Sequence, residues 1–357
     1  MNIEVDKSDL HTVRVRPAPP VTLLDGQVSA RIESFGISAN NITYAVMGES
    51  MRYWDFFPSD DPSWGRVPTW GYARIAESNS PHVPEGSRIF GYFPMSTAVT
   101  LTPGRSDAAG FSDVAEHRAS LPSVYNRYSY VDHDPLYDPR HEDETILFRP
   151  LFITSFVVDD FLGYHDVFGA TTVIVSSASS KTALGIAHLC GQRLGIHVIG
   201  LTSRSNLEFT SETGLYDDVL SYDDLDQLPL SNAVYIDVAG RRDVTHRVHS
   251  HYGDQLRYSM IVGDTHWDAD VAPTTPLPGP KPTLLFAPDR IRARRAEWGR
   301  DGFEDAVGAA WESFAMNVRN WLDVRHLHGP DDIMATYLNV LEGRIDPRIG
   351  YICSFLA

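Results

Sequence analysis

The sequence predicts an α/β protein in which a mostly antiparallel β domain is followed by a doubly wound parallel sheet. Short runs of alternating apolar residues fill the first part of the chain, and continuous apolar runs separated by helical patterns follow Pro150. The chain has 357 residues, 43% of them hydrophobic, which is enough for two packed domains. We therefore expect a β-rich domain over 1–150, completed by 323–357, and a doubly wound domain over 151–322.

The first domain is predicted from runs bounded by Gly, Pro, Asn and Ser. They are QVSARIESFGIS, GYARIAES, SRIFGYFP and TAVTLTP, and their alternation is typical of half-buried antiparallel strands. The stretch 126–146, NRYSYVDHDPLYDPRHEDETI, is interpreted as a long loop or lid over this domain. A charged surface loop is the simplest interpretation of its polar side chains, and a metal site is the alternative. The candidate ligands are His133, Asp134, Asp138 and His141.

The second domain is predicted from apolar runs rich in Val and Ile. They are TTVIVSS, IHVIGLTS, DDVLSY, AVYIDVAG, RYSMIVGD and TLLFAP, in that order. Continuous apolar strands alternating with helices indicate a parallel sheet covered on both faces. HRVHSH at 246–251 indicates a polar helix end, and apolar spacing over 303–322 predicts an amphipathic helix. A capped helix and a closing strand follow in GPDDIMATYLNVLEGRIDPRIGYICSFLA.

The charge of the chain restricts its partners. A formal net charge of −17 argues against nucleic acid or an anionic membrane as the main partner. The basic stretch RIRARRAEWGR at 290–300 has the spacing of a solvated or phosphate-touching helix. No apolar segment has the length of a signal peptide core or a membrane span. With only Cys190 and Cys353 present, we expect a cytoplasmic protein without a thiolate-rich structural zinc site.

The stretch TVIVSSASSKTALGIAHL predicts a strand, a tight turn and a helix, the unit that cradles dinucleotide phosphates, but with no glycine in the turn. Small side chains keep such a turn slim, and Lys181 adds a cation at the helix N-terminus, where phosphate is favoured. The alternatives are a Ser-capped helix that binds nothing and a degenerate NTPase phosphate loop with Asp237 as its acid. The candidate cofactor-binding residues are Ser177, Ser179, Ser180, Lys181 and Thr182.

The end of the second apolar run discriminates between nucleotides. An Asp or Glu at this position is typical of proteins whose cofactor has a free ribose 2′-hydroxyl. This sequence has Ser203 and Arg204 there. A hydroxyl and a guanidinium suit a 2′-phosphate, so NADP(H) is predicted. Gly240 and Gly263 stand at the ends of the fourth and fifth runs and fall at the carboxyl edge of the sheet, where ligands bind.

The order of these segments resembles the medium-chain dehydrogenase/reductase superfamily over nearly the full length of the chain. GISANNITYAVMG at 36–48 looks like the segment that carries a cysteine in the zinc-dependent members, and VPTWGYARI like the segment that carries a histidine. SSASSKTA, LLFAPDRI and LEGRIDPRIGYICSF resemble more closely a divergent branch, the DUF2855 family. The resemblance implies a GroES-like N-terminal domain and a Rossmann-type cofactor domain.

The departures from the superfamily pattern bear on zinc. Ser38 stands where the cysteine ligand would be needed and Trp70 where the histidine would be. Hydroxyl and indole groups are poor zinc ligands, so no catalytic metal is expected.

The resemblance to zinc-independent quinone and enoyl reductases implies hydride transfer from NADPH to an activated alkene, enone, enoyl or quinone-like small molecule. It places Tyr44 and Tyr53 near the cleft between the domains as proton donors, Asn41 as a group that orients the substrate carbonyl, and Thr154 near the cofactor. Each could equally be structural. Two alternatives remain open: an accessory protein that retains the fold, and a dehydratase or isomerase that uses residues 125–141. A homodimer is also expected.

Overall fold

The computed structural model describes residues 1–18, 22–238, 240–262 and 277–356. The chain divides into two compact units. Unit 1 comprises Met1–Leu147 and Leu322–Ala357, and unit 2 comprises Phe148–Trp321. Within the described ranges, none of the helices combines the length and apolar character that a bilayer crossing demands.

The strands and helices are numbered in chain order. The strands are β1 (Asn2–Asp6), β2 (Val13–Arg16), β3 (Val28–Ile37), β4 (Trp64–Gly65), β5 (Pro68–Ser78), β6 (Arg88–Pro94), β7 (Ala98–Leu101), β8 (Pro103–Asp107), β9 (Gly110–Asp113), β10 (Arg127–Tyr130), β11 (Thr172–Ser176), β12 (His197–Thr202), β13 (Asp218–Ser221), β14 (Ala233–Asp237), β15 (Leu256–Ile261), β16 (Thr283–Leu284), β17 (Asp323–His328) and β18 (Ile349–Ser354). The helices are α1 (Ala39–Val46), α2 (Glu142–Tyr164), α3 (Lys181–Cys190), α4 (Leu207–Glu212), α5 (Arg242–Tyr252), α6 (Ala287–Val318) and α7 (Pro330–Leu341).

Unit 1 is built on a large sheet in the order β17-β18-β3-β5-β6-β10-β9-β8, with β7 also paired to β3. Its neighbours are antiparallel except β17 and β18, which are parallel. A smaller sheet has the order β2-β1-β4. The alternating residues of β3, β5 and β6 supply much of one buried apolar cluster, and α1 and α7 add Tyr44, Ile333 and Tyr337 to it. The predicted antiparallel β domain is confirmed.

Unit 2 contains a parallel sheet in the order β13-β12-β11-β14-β15-β16. Each of the predicted apolar runs forms one of these strands, and β11 and β14 are fully buried along their length. The chain moves outward from β11 in both directions, so the strand order reverses between β11 and β14. The predicted doubly wound sheet is confirmed. Such sheets bind ligands beyond the carboxyl ends of their strands, next to the point at which the strand order reverses.

The segment 126–146 differs from the predicted loop. Its residues Arg127–Tyr130 form β10, which pairs with β6 on one side and β9 on the other, and Glu142 begins α2. Tyr128 is buried, accepts a hydrogen bond from Arg118 and donates one to the Tyr92 carbonyl oxygen. The prediction of a lid was wrong for this strand because the polar composition of the segment hides a short alternating pattern, RYSY.

The C-terminal predictions hold. The amphipathic pattern over 303–322 lies mostly in α6, which contains the basic stretch 290–300 and a kink at Gly299, where φ is 76°. The predicted capped helix and closing strand are α7 and β18. HRVHSH lies in α5, where His249 is buried between the Pro278 carbonyl oxygen and the Ser259 hydroxyl. These contacts give that histidine a structural role.

Candidate functional site

The turn after β11 has the conformation that glycine favours, although a serine occupies it. Ser177 has φ of 53°, in the left-handed region that side chains other than glycine rarely adopt. The next residues return to ordinary geometry, and the Ser180 hydroxyl caps α3 by accepting a hydrogen bond from the Ala183 amide at 3.3 Å. The sequence lacks the glycines, but the backbone still makes the strand–turn–helix transition of a dinucleotide loop.

Two tyrosines outside the turn hold it in place. The Ser177 amide donates to the Tyr222 hydroxyl at 2.8 Å, and the Tyr216 hydroxyl donates to the Ala178 carbonyl oxygen at 2.9 Å. Burial raises the pKa of both phenols, so both remain protonated at neutral pH. The Arg241 guanidinium lies 4.9 Å from the centre of the Tyr222 ring. Sequence reasoning missed Tyr216 and Tyr222 because both reach the turn from the region around β13.

Lys181 is the first residue of α3 and carries the cation predicted for this turn. Its side chain is half-buried, with Nζ 5.3 Å from the centre of the Phe148 ring, and in the described part of the chain no carboxylate pairs with it. Burial lowers the pKa of Lys181 to about 8. Helix geometry also leaves the amides of Lys181 and Thr182 without an intrahelical acceptor. The N-terminus of α3 thus combines a residue that carries an ammonium group with two amides that lack an intrahelical acceptor, and both features favour an anion there.

Close packing in this region depends on Gly185, which the sequence pattern did not single out. A Cβ at Gly185 would lie 2.6 Å from Oγ and 2.9 Å from Cβ of Ser155 on α2. The Ser155 hydroxyl also donates to the Thr182 carbonyl oxygen at 2.8 Å. Thr154, the predicted cofactor residue, is the neighbour of Ser155 on α2 and is half-buried. A glycine five residues beyond a small, polar turn is the sequence signal that could have predicted this contact.

The predicted 2′-phosphate residues lie at the carboxyl end of β12. Ser203 and Ser205 exchange a hydroxyl hydrogen bond at 2.9 Å. The Arg204 guanidinium is exposed and lies 3.4 Å from Asp223 and 3.5 Å from Asp224. Exposed ion pairs of this kind are weak, so the arginine can exchange partners at little cost.

At the same edge of the sheet, the side-chain nitrogen of Asn206 donates a hydrogen bond to the Ser179 hydroxyl at 2.9 Å. The predicted residues of the turn and of the β12 end therefore meet at one edge of the sheet.

Asp237 ties the ends of the two central strands together. Its buried carboxylate accepts hydrogen bonds from the Ser176 hydroxyl at 2.9 Å, the Thr245 hydroxyl at 2.8 Å and the Gly240 amide at 3.0 Å. Gly240, a predicted cofactor residue, thus belongs to a loop anchored by Asp237. These contacts give Asp237 a structural role instead of that of an acid in a phosphate loop. The other predicted glycine, Gly263, lies outside the described residues.

In unit 1, the predicted proton donors belong to an aromatic cluster, which we define as Tyr44, Tyr53, Trp70, Tyr92 and Tyr125. The rings of Tyr44 and Tyr53 are 4.6 Å apart between centroids, and Tyr92 and Tyr125 are 4.8 Å apart. The hydroxyl groups of Tyr53 and Tyr125 are 3.2 Å apart. Burial raises the pKa of Tyr44 to about 12, so its phenol is protonated at neutral pH.

Asn41, predicted to orient a substrate carbonyl, has partners of its own within unit 1. Its side-chain oxygen accepts from the Ser38 amide at 2.7 Å, and its side-chain nitrogen donates to the Pro68 carbonyl oxygen at 2.8 Å. These bonds fix the start of α1 against β5. A role towards a substrate would require breaking one of them, so the structure supports a structural role for Asn41.

The two positions that replace zinc ligands are also engaged in hydrogen bonds. The Ser38 hydroxyl donates to the Asn41 side-chain oxygen at 3.3 Å, and the Trp70 indole donates to the Tyr44 hydroxyl at 3.3 Å. In the ranges that the structure describes, no three His, Cys, Asp or Glu side chains gather closely enough to hold a metal ion. The tract around His133 therefore offers no such group of described ligands.

A family model matches residues 35–346, which is most of the chain; it is described as a protein of unknown function, DUF2855. The chain belongs to this family. No curated protein sequence matches it. The predicted resemblance to the DUF2855 branch is thereby confirmed.

Solved structures share the fold at low sequence identity. CurA from Vibrio vulnificus, in complex with NADPH, is similar with a TM-score of 0.60 and 13% identity, over 96% of this chain and 93% of that one. The CurK enoyl reductase gives a TM-score of 0.55 and 11% identity, over 99% and 98%. A Haloferax mediterranei glucose dehydrogenase in complex with NADP, Zn and gluconolactone gives 0.54 and 13%, over 100% and 99%.

Proposed function

We propose that this protein is a zinc-independent oxidoreductase that uses NADPH to reduce an activated alkene, enone, enoyl or quinone-like small molecule. The observation that carries the proposal is the turn between β11 and α3. Ser177 adopts the backbone conformation of a dinucleotide-loop glycine, and Lys181 is a cation without a described carboxylate partner. The structural relatives that were solved with NADPH or NADP support the same cofactor.

The residues of unit 2 divide between two phosphate groups in this proposal. Lys181 and the first amides of α3 would hold the pyrophosphate, because the helix dipole and the ammonium both favour an anion there. Ser203 and Arg204 would hold the 2′-phosphate that distinguishes NADP(H) from NAD(H). Reduced nicotinamide supplies a hydride when it is bound. The chain itself must then supply orientation and a proton.

The absence of catalytic zinc is proposed from the residues and not from the fold. The glucose dehydrogenase relative contains zinc on a similar scaffold, so the fold alone leaves the question open. In this chain a hydroxyl and an indole stand at the expected ligand positions, and both groups are poor ligands for zinc. Elemental analysis should find no stoichiometric zinc. About one zinc per chain, lost together with activity on chelation, would contradict the proposal.

Tyr53 is the proposed proton donor. It is half-buried, and burial raises the pKa of its phenol, so it carries its proton at neutral pH. Tyr44 is buried, with 5% of its surface exposed, and is the weaker candidate for direct contact with a substrate. Tyr53→Phe should lower kcat while leaving the affinity for NADPH nearly intact.

Nucleotide titration of matched variants tests the proposal. Lys181→Ala should weaken the binding of both NADPH and NADH by roughly ten- to hundredfold, because a charge-assisted hydrogen bond contributes about 1.5–3 kcal/mol. Arg204→Ala should weaken the binding of NADPH alone, by about tenfold or less, because the guanidinium is exposed and already forms ion pairs with two carboxylates. Arg257→Ala, which removes an exposed arginine at the amino end of β15 and therefore at the opposite edge of the sheet, is the control for loss of positive charge.

An accessory protein without a cofactor is the second candidate. It is favoured by one observation, the hydrogen bond between the Ser177 amide and the Tyr222 hydroxyl, which occupies a backbone donor of the turn. Thermal shift separates the two candidates. NADPH at one hundred times its Kd should stabilise the protein by about 2.7 kcal/mol. If neither nucleotide binds at millimolar concentration, the accessory protein becomes the better interpretation.

A further inference from the structure

Two acidic side chains reach the predicted 2′-phosphate position from a neighbouring strand. The end of β12 has Arg204 near the place where proteins whose cofactor has a free ribose 2′-hydroxyl have an acid. In the structure two acids come instead from just beyond β13, which pairs in parallel with β12. Nε of Arg204 lies 3.4 Å from the Asp223 carboxylate, and Nη2 lies 3.5 Å from the Asp224 carboxylate. The strand order thus brings one basic and two acidic side chains together.

The segment that carries the two acids is anchored at Tyr222, the residue before them. The Tyr222 hydroxyl accepts a hydrogen bond from the Ser177 amide at 2.8 Å. From α5, the Arg247 guanidinium donates to the carbonyl oxygens of Tyr222 and of the residue after it. The Arg241 guanidinium lies 4.9 Å from the centre of the Tyr222 ring. These contacts fix the backbone, so the two acids have a defined position at the carboxyl edge of the sheet.

The charge of this group opposes a phosphate. Arg204 is shared by two carboxylates, so the three side chains together carry one net negative charge. A phosphate monoester carries a charge of about −1.5 to −2 at neutral pH. It would have to replace the carboxylates at the guanidinium and then remain beside them. A ribose 2′-hydroxyl meets no such opposition, because a carboxylate is the acceptor that commonly binds it.

We propose that Asp223 and Asp224 determine the nucleotide selectivity of this protein. By pairing with Arg204 they reduce the preference for NADPH that an unpaired arginine would give, and the protein binds both NADPH and NADH, with affinities that differ by less than about tenfold. This inference rests on the proposed function for the identity of the ligand. Lys181, at the start of α3, serves both nucleotides equally, whereas the two acids act only where the nucleotides differ.

The exposure of the three side chains sets the size of the effect. The side chains of Arg204 and Asp223 are 68% and 69% exposed, and that of Asp224 is 36% exposed. An exposed ion pair changes an equilibrium constant by at most about fivefold. Solvent and salt screen a less exposed pair less, so Asp224 should hold Arg204 more strongly than Asp223 does.

Two further arginines at this edge have partners of their own. Arg241 pairs with Asp243 at 2.6 Å, and the Arg247 guanidinium donates to carbonyl oxygens of the anchored segment. Each of the two acids, by contrast, forms its ion pair with Arg204. The direct effect of removing the acids is therefore to release the Arg204 guanidinium, which is then available to a 2′-phosphate.

Isothermal titration of charge-neutral variants with NADPH and NADH tests the assignment. Asp223→Asn and Asp224→Asn should each increase the affinity for NADPH by about two- to fivefold, and the double variant should increase it by about tenfold. The affinity for NADH should change by less than about twofold, because the asparagine side-chain oxygen still accepts a hydrogen bond from a 2′-hydroxyl. The ratio of the two Kd values therefore changes in favour of NADPH.

The control for loss of negative charge is Asp218→Asn. Asp218 is an exposed aspartate that pairs with His197 at 2.7 Å, and it lies at the amino end of β13, at the opposite edge of the sheet. Its substitution should leave the ratio of the two Kd values unchanged. Adding Arg204→Ala to the double variant should remove most of the gain for NADPH, because the acids act through that guanidinium. An equal gain with and without Arg204 would overturn the assignment.

Adenosine 2′,5′-bisphosphate and adenosine 5′-phosphate make the same comparison without a nicotinamide, and the double variant should gain affinity for the bisphosphate alone. If selectivity changes as expected but NADPH reduces no enone, the proposed reductase function fails and the selectivity assignment stands. If the nucleotides bind and their Kd ratio is the same in the double variant, the assignment fails and the proposed function stands. If neither protein binds any of the four compounds at millimolar concentration, both are overturned.

Discussion

Ser177 shows how a turn can keep a glycine-like backbone without glycine. A left-handed conformation costs a residue with a side chain roughly 1–2 kcal/mol, and here the Tyr222 hydroxyl and the neighbouring backbone hold it in place. In return, the serine adds a hydroxyl at the edge of the sheet.

Ser177→Gly is therefore expected to increase the free energy of unfolding by about 0.5–1 kcal/mol, because glycine adopts this conformation without strain. The comparison variant is Ser179→Gly, at a position of the same turn that is not left-handed, and it should lower stability, because glycine adds chain entropy and the hydroxyl that accepts from Asn206 is lost. Chemical denaturation of both variants measures the difference. Equal destabilisation by both would contradict the conformation assigned to Ser177.

Nucleotide affinity should fall as the pH rises through about 8, the value to which burial lowers the pKa of Lys181. The sign follows from linkage: an anion binds the protonated ammonium, so binding weakens once the free protein loses that proton. Between pH 7 and pH 9 the Kd for NADPH should increase about tenfold.

Lys181→Arg is the control for this pH dependence, since a guanidinium keeps its charge over the whole range. Isothermal titration of both proteins at several pH values makes the comparison. A pH-independent Kd in the unsubstituted protein would mean that the Lys181 ammonium does not contact the nucleotide.

Some site residues could be predicted from the sequence and others could not, for a physical reason. The serines of the turn, Lys181 and Arg204 are local features, because a strand and a helix in sequence place them at one edge. Tyr222, just after β13, bonds the turn, and Asp237, at the end of β14, bonds Ser176 just before it; only the strand order brings both residues there. Asn41 was assigned by resemblance to a substrate role, but its amide bonds fix a helix start.

At the level of elements, the strands of unit 2 were predictable because each is a continuous apolar run bounded by helical patterns. The segment 126–146 was not, because β10 contains only four residues and its neighbours β6 and β9 supply the pairing that stabilises it. Tertiary context overrides local composition most easily in short strands of this kind.

The contact between α2 and α3 gives a prediction for this element pair. Gly185→Ala should lower the free energy of unfolding by about 1–3 kcal/mol, because the new Cβ would overlap Ser155 atoms on a packed helix. Gly302→Ala is the matched control. On α6 its new Cβ would meet a Trp298 side-chain carbon at 3.5 Å, an ordinary contact, so the substitution should stabilise by up to about 1 kcal/mol. Thermal or urea unfolding should give shifts of opposite sign.

At the level of the whole molecule, the net charge of −17 opposes the approach of an anionic cofactor. Screening weakens this long-range repulsion, since the Debye length falls to about 10 Å at 0.1 M salt. The association rate of NADPH should therefore increase several-fold from low salt to physiological salt, and that of NADH, with one phosphate fewer, should increase less. Stopped-flow binding measures both rates. A decrease with salt would show that Lys181 and Arg204 dominate the field that the nucleotide meets.

The order of strands in unit 1 also governs how the protein is made. Residues 35–37 of β3 pair with residues 351–353 of β18, which the ribosome adds only after all of unit 2 has been synthesised. At a synthesis rate of about 5–20 residues per second this delay is roughly half a minute. Throughout it, a nascent chain would present an unpaired strand edge that can template pairing with another polypeptide. Ribosome stalling within unit 2 should therefore yield chains that require a chaperone to stay dispersed, whereas full-length chains released from the ribosome should not.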